Sequence, residues 1–150
     1  MKASASIKVR GRAFEVERLW YDTHRWPAWI DGFGHLVKVE GEWPARGARV
    51  IWDSPPGGRG RVHEVVVAYE SRTGQTLEVE DDKLTGRQIV AFEPGLEETG
   101  STLSLEYQLK ERAPLTPVVD LLFVRRSITE SLRRTLQRFS VERAAEIQFG

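Results

Sequence analysis

The stretch Leu115–Phe149, LTPVVDLLFVRRSITESLRRTLQRFSVERAAEIQF, decides how the rest of the chain is read. Thr116 offers a hydroxyl for the free N–H groups of a helix start, and Pro117 suits the first helical turn. Neither glycine nor proline then interrupts the run before Gly150. Val118, Leu121, Leu122, Ile128, Leu132, Leu136 and Phe139 recur at three- and four-residue steps, which predicts one apolar stripe on a helix. Arg126, Glu130, Arg133, Arg134, Gln137 and Arg138 fall on the opposite face. At about 1.5 Å per residue the helix would run roughly 45–50 Å. Burying that stripe is worth on the order of 10–20 kcal/mol gross, before the entropy of ordering is charged. A rod of this kind needs a broad apolar partner.

The chain before it reads as strands. Ile7, Val9 and Ala13 alternate with Lys8, Arg10 and Arg12, the pattern of a half-buried strand. The period then changes: Val16, Leu19 and Trp20 are spaced for one face of a short helix. A second compact segment, Asp22–Asp31, contains Pro27, which stops a continuous helix from passing through. Strand signals follow in series at Leu36–Glu40, Arg46–Asp53, Arg61–Glu70, Thr76–Glu80, Gln88–Glu93 and Thr102–Lys110. The last is the cleanest, with Leu103, Leu105, Tyr107 and Leu109 against Thr102, Ser104, Glu106 and Gln108. Turn chemistry separates them at Ser71–Gly74, Asp81–Lys83, Pro94–Gly95 and Thr99–Gly100. Short connections between successive strands imply an antiparallel meander, apolar on one face only. The expectation is an α+β layer pair: about seven curved antiparallel strands, two short helices after the first strand, and the long C-terminal helix across the apolar face. Without an internal repeat or a linker, residues 1–150 read as one domain.

Composition narrows the function classes. The chain has 150 residues, enough for one domain that buries roughly two-thirds of its unfolded surface. Its 22 basic and 22 acidic side chains cancel, which argues against binding nucleic acid or an anionic membrane by bulk charge. There is no cysteine, hence no disulfide framework, thiolate nucleophile or thiolate metal site. No signal peptide and no membrane span is read, so a soluble, cytoplasmic protein is expected.

A family resemblance enters through the opening strand Ser6-Ile7-Lys8-Val9, the helix Val16-Glu17-Arg18-Leu19-Trp20, and Asp22 followed by Trp26-Pro27-Ala28-Trp29. Gly47-Ala48-Arg49-Val50 and the late Gly100-Ser101-Thr102 also fit. With this order of elements, the chain resembles the helix-grip fold of the START and polyketide cyclase/dehydrase superfamily over nearly its whole length. The resemblance implies a hydrophobic small molecule held between a curved sheet and the long helix. It implies no cofactor. Members include lipid carriers, quinone-binding proteins and aromatase/cyclases, and the residues here match no one branch's catalytic set.

Several residues are candidates for that chemistry. Trp20, Tyr21, Trp26 and Trp29 form either a satellite core or, through Trp29, the mouth of a pocket suited to a ring-bearing or lipid ligand. Arg125 lies in the apolar stripe. It is either a side chain that snorkels to solvent or pairs with a strand carboxylate such as Glu64 or Glu106, or a guanidinium that fixes a ligand carboxylate or enolate oxygen. Trp29, Trp52, Val66, Tyr107, Leu121 and Arg125 are the expected cavity wall. For a cyclase, aromatase or dehydratase, His24 or Tyr107 would move a proton and Arg125 would stabilise an enolate. His24, His35 and His63 match no metal spacing, and no metal is expected. Pro55–Arg61 is either a hairpin connection or a flap over the entrance, with only a weak case for Arg59 and Arg61 meeting RNA. Leu121-Leu122-Phe123-Val124 is apolar all round, and its excess surface, notably Val119 and Phe123, is a homodimer contact, a lipid portal, a partner site or simply covered by a loop.

Overall fold

Side chains that alternate between two faces build the sheet, and a computed structural model describes residues 1–111 and 114–149 of the chain. The Thr116 side chain and Gly150, both read above as helix signals, lie outside what is described. The order is β1 (Lys2–Arg10), α1 (Ala13–Trp20), a 3₁₀ turn (Thr23–Ala28), β2 (His35–Glu40), β3 (Arg49–Asp53), β4 (Arg61–Glu70), β5 (Gly74–Glu80), β6 (Leu84–Glu93) and β7 (Glu98–Leu109). Then come α2 (Thr116–Val119), a π-helical turn (Asp120–Val124) and α3 (Arg125–Phe149). The strands form one antiparallel sheet in the order β1-β7-β6-β5-β4-β3-β2. This is the expected α+β arrangement, with the long helix packed chiefly against β1.

Strand ends differ from the expectation where glycine blurs the pattern. Thr99–Gly100, read as a turn, lies inside β7: Thr99 pairs with Val9, and Gly100 pairs with both Lys8 and Glu93. The turn is earlier, after Glu93. Likewise β6 begins at Leu84, because Gly86 hides the alternation that leads into Gln88.

The C-terminal rod also departs from its stripe. Leu132, Leu136 and Phe139 are buried as predicted, and Val124 and Ile128 pack partly against the core. Val118, Leu121 and Leu122 are instead exposed, Leu121 by 62%. The π turn accounts for the change. It takes one residue more than an α turn, so every position before it rotates by roughly 100° relative to the face that follows. Asp120 takes the inward place that an unbroken α-helix would give Leu121, and it is 1% exposed. Its carboxyl accepts hydrogen bonds from the Tyr107 hydroxyl and, at 3.0 Å, from Arg125 Nη2. A buried polar group with two partners avoids most of its desolvation cost. Leu121, Leu122 and Phe123 are left on the outside, where the homodimer contact was expected.

Two polar clamps fix the rod to the rest of the fold. Asp31, just after the 3₁₀ turn, accepts Arg134 through both carboxyl oxygens at 3.1 and 2.9 Å, Arg138 at 3.2 Å and the Ser131 hydroxyl at 2.6 Å. Its N–H donates to the Thr135 hydroxyl. At the other end Arg143, buried, donates to the Arg10 carbonyl at 3.0 Å and pairs with Glu15 at 3.2 Å. Gly11 (φ +116°) makes room for it, since a Cβ there would meet the Arg143 guanidinium at 2.8 Å.

Two outcomes are expected. Burial alone would raise the Asp31 carboxyl pKa, but the hydrogen bonds from Arg134 and Ser131 and the charges of Arg134 and Arg138 outweigh it and hold the group below its usual value. A depressed carboxyl stabilises the fold above the unfolded-state pKa and loses that contribution as pH falls through the folded one. Asp31→Asn is therefore less stable than the parent at pH 7, and the gap closes below about pH 4; urea melts across that range read it. At the π turn, Asp120→Ala leaves the Tyr107 hydroxyl and the Arg125 guanidinium without their acceptor. A loss of about 2–4 kcal/mol is expected from the same melts, against less than about 0.5 kcal/mol for exposed Arg126→Ala.

Candidate functional site

Between the inner face of the sheet and α3 lies a largely enclosed cavity of about 50 Å³. Trp20, Trp26 and Trp52 supply flat apolar wall, and Leu77, Leu103 and Leu132 complete it. Polar side chains enter from both sides: Glu64, Gln75 and Gln88 from the sheet, Arg59 from the loop before β4, and Asp31, Ser131 and Thr135 from the helix seam. The volume compares with about 30 Å³ per liquid water and roughly 300–1,000 Å³ for pockets that hold drug-sized ligands. In this closed form the seam has room for water and no more. A larger concavity, about 800 Å³, lies on the outer face of the sheet, open to solvent and lined by side chains such as Glu78 and Arg87 that pair with each other.

The polar wall is built from strand alternation. Trp52 faces inward from β3 and donates its Nε1–H to Glu64 Oε1 at 2.8 Å. Glu64 stands on β4 between inward Val62 and Val66 and is 4% exposed. Burial pushes its carboxyl up from the usual range, against the Trp52 hydrogen bond and the Arg59 charge. Arg59 comes from the Pro55–Gly60 loop, which does connect the β3–β4 hairpin; at its base Arg61 donates to both oxygens of Asp53 at 2.9 and 3.1 Å. Arg59 itself turns toward the cavity. Its Nε donates to Asp81 Oδ2 at 2.7 Å, and its guanidinium lies 5.3 Å from the Trp52 ring centre. Asp81 is held in turn by the N–H groups of Lys83 and Leu84 at 2.8 and 3.0 Å. One end of the cavity is thus closed by Arg59, and another by the Asp31 clamp.

The predicted site residues divide into groups. Trp52 lines the cavity. Trp29 is fully buried behind it, with its ring centre 6.5 Å from Trp20 and 5.1 Å from Phe139. Val66 is buried on the inner face. Tyr107 and Arg125 are brought together, but through Asp120 and about 13 Å along β7 from cavity-lining Leu103. Burial and Asp120 push the Tyr107 hydroxyl up to about 12. Arg125 was expected to pair with Glu64 or Glu106; its partner is Asp120 on its own helix, because the π turn carries that carboxyl inward. Leu121, expected on the wall, is exposed for the same reason, and His24 is exposed on the 3₁₀ turn with its N–H bonded to Asp22. Of the aromatic cluster, Trp20 and Trp26 are wall residues, while Tyr21 meets Trp43, Tyr69 and Phe92 edge-on.

Sequence reasoning missed Glu64, Arg59 and Gln88 as wall residues. Glu64 did carry a signal, an acid in the inward row Val62-x-Glu64-x-Val66. Arg59 carried none, since a loop side chain has no periodicity to place it.

Comparisons with known proteins agree with this geometry. None of the curated proteins compared with the chain matches it in sequence. Among solved structures, a START superfamily protein from Mycobacterium smegmatis is 15% identical, with a TM-score of 0.78 over 96% of this chain and 97% of that one. A protein from Thermus thermophilus is 18% identical, with a TM-score of 0.76 over 97% and 99%. Norcoclaurine synthase of Thalictrum flavum, a point mutant in complex with a transition-state analogue, is 14% identical, with a TM-score of 0.72 over 97% and 95%. At such identities the likeness is one of fold. Residues 1–142 match the family model described as polyketide cyclase / dehydrase and lipid transport, and the chain belongs to that family, with the helix-grip fold of the START superfamily.

Proposed function

We propose that this protein binds a small, ring-bearing hydrophobic molecule in the seam between the sheet and α3. The observation that carries the reading is the wall itself: three indole side chains and three leucines around a void that polar side chains also enter. Flat apolar faces suit a ring, and a few polar groups at one side suit its orientation. The closed void is too small for such a ligand, so binding requires the seam to widen. Its two polar closures, Arg59 on Asp81 and Asp31 on α3, are the contacts that opening would exchange for water. Both involve arginines that are partly exposed, so the exchange costs less than breaking a fully buried pair. The proton-moving roles considered for His24 and Tyr107 find no support at this cavity, since neither is among the described residues that line it.

The test is uptake of a neutral apolar fluorophore, N-phenyl-1-naphthylamine, by the full chain. Fluorescence enhancement is expected for the parent. Leu103→Trp, which fills the void, should weaken it by about tenfold or more at unchanged fold. Phe123→Ser, on the exposed patch, should leave it unchanged. Uptake lost in Phe123→Ser and kept in Leu103→Trp would move the site to the surface and end this reading.

A further inference from the structure

The proposal rests on the cavity reading above and concerns what its polar side selects. We propose that Glu64 anchors the ligand by hydrogen-bonding a neutral carbonyl oxygen, so that the ligand class is an apolar ketone or aldehyde, not a carboxylic acid or an amine. Geometry supports it first. Glu64 is 4% exposed and lines the void, and Trp52 Nε1–H fixes its Oε1 at 2.8 Å. The indole hydrogen bond therefore sets the plane of the carboxyl and leaves Oε2 as the oxygen with hydrogen-bonding capacity for a ligand.

Charge then chooses the ligand. Arg59 is the one cation among the described lining residues, and its Nε is engaged by Asp81 at 2.7 Å. A ligand carboxylate would enter beside the Asp31 carboxyl and would share the Arg59 guanidinium with Asp81, which already offsets its charge. A ligand ammonium would enter beside the Arg59 guanidinium. Either charge also gives up its hydration in a seam walled by indoles and leucines, a cost a neutral carbonyl largely avoids. A carbonyl needs a donor. Burial shifts Glu64 toward the neutral acid, whose O–H is such a donor, and the half-buried Gln88 amide on the same wall supplies a second. An acid kept neutral by an apolar site so that it can donate is a known physical arrangement.

Three probes of matched shape test the idea by calorimetry on the full chain: acetophenone, ethylbenzene and benzoate. The parent should bind acetophenone about tenfold more tightly than ethylbenzene, with benzoate weakest. Glu64→Gln keeps both an acceptor for Trp52 and a donor for the ligand, so the preference should persist. Glu64→Leu removes the main donor and leaves only Gln88, so the preference for acetophenone over ethylbenzene should shrink several-fold. Should Glu64→Leu not fold, the carbonyl stretch of acetophenone bound to the parent decides: a donor at the oxygen lowers its frequency relative to an alkane solution. Equal binding of acetophenone and ethylbenzene by the parent overturns the anchor while the cavity reading stands. Tighter binding of benzoate, or a preference undiminished in Glu64→Leu, also overturns it. Uptake of none of the three probes overturns the cavity reading, and the anchor falls with it.

Discussion

The structure depends on one packing constraint: the sheet and α3 each have an apolar face that only the other can cover. Phe139 shows how the constraint is met. It is fully buried and meets Trp20 edge-on at 5.1 Å between ring centres, and Trp29 also at 5.1 Å. Trp20 belongs to α1 and Trp29 follows the 3₁₀ turn, so one side chain of the rod joins the helix and the loop that follows it. Six of the strands form a meander, with β1 added beside β7, and among the described residues no other element is long enough to cover the inner face of that sheet. The rod, for its part, presents arginine and glutamate to solvent and would not hold a helix by propensity alone.

Apolar packing sets the layers but not their angle or register, since burial is non-directional. Hydrogen-bonded charges supply that. Arg143 near one end of α3, Asp31 against its middle and Asp120 at its start each tie the rod to a different part of the chain. All three use at least two partners, which is what makes burying a polar group tolerable. The same logic places the cavity. Where clamps surround the seam, side chains cannot all close in, and a small void remains between indoles.

Much of the fold was legible because it is periodic. Two-residue alternation marked six of the strands after β1 only approximately at their ends, and the three-four spacing marked the rod from Ile128 to Phe139. Before Ile128 the same spacing misled. Leu121 and Leu122 fit the stripe, yet a single extra residue in the π turn turned them outward and put Asp120 in their place. Nothing in composition announces such a turn; the only hint was an acid within an apolar run. The site was less legible for a related reason. Trp52 was found by alternation, and Glu64 sat in the same kind of row, although a carboxyl there was read only as a partner for Arg125. Arg59 owes its position to a glycine-rich loop whose path depends on tertiary contacts with Asp81 and Trp52.

The composition of the seam is itself an argument about purpose. Packing efficiency would favour leucine or phenylalanine at positions 64 and 88, which face the interior from central strands. Instead an acid, an amide and an arginine share the wall with three tryptophans. A buried polar network is costly unless each member is satisfied, and replacing it by hydrocarbon is often neutral or stabilising. Places where a chain keeps such groups against the local packing rule are where function is expected to reside. Here the departure is gathered around one void, next to a loop arginine that lines it. That coincidence of polar wall and void lies on the inner face, and it is the basis for placing the proposed site there and not on the sheet's outer face.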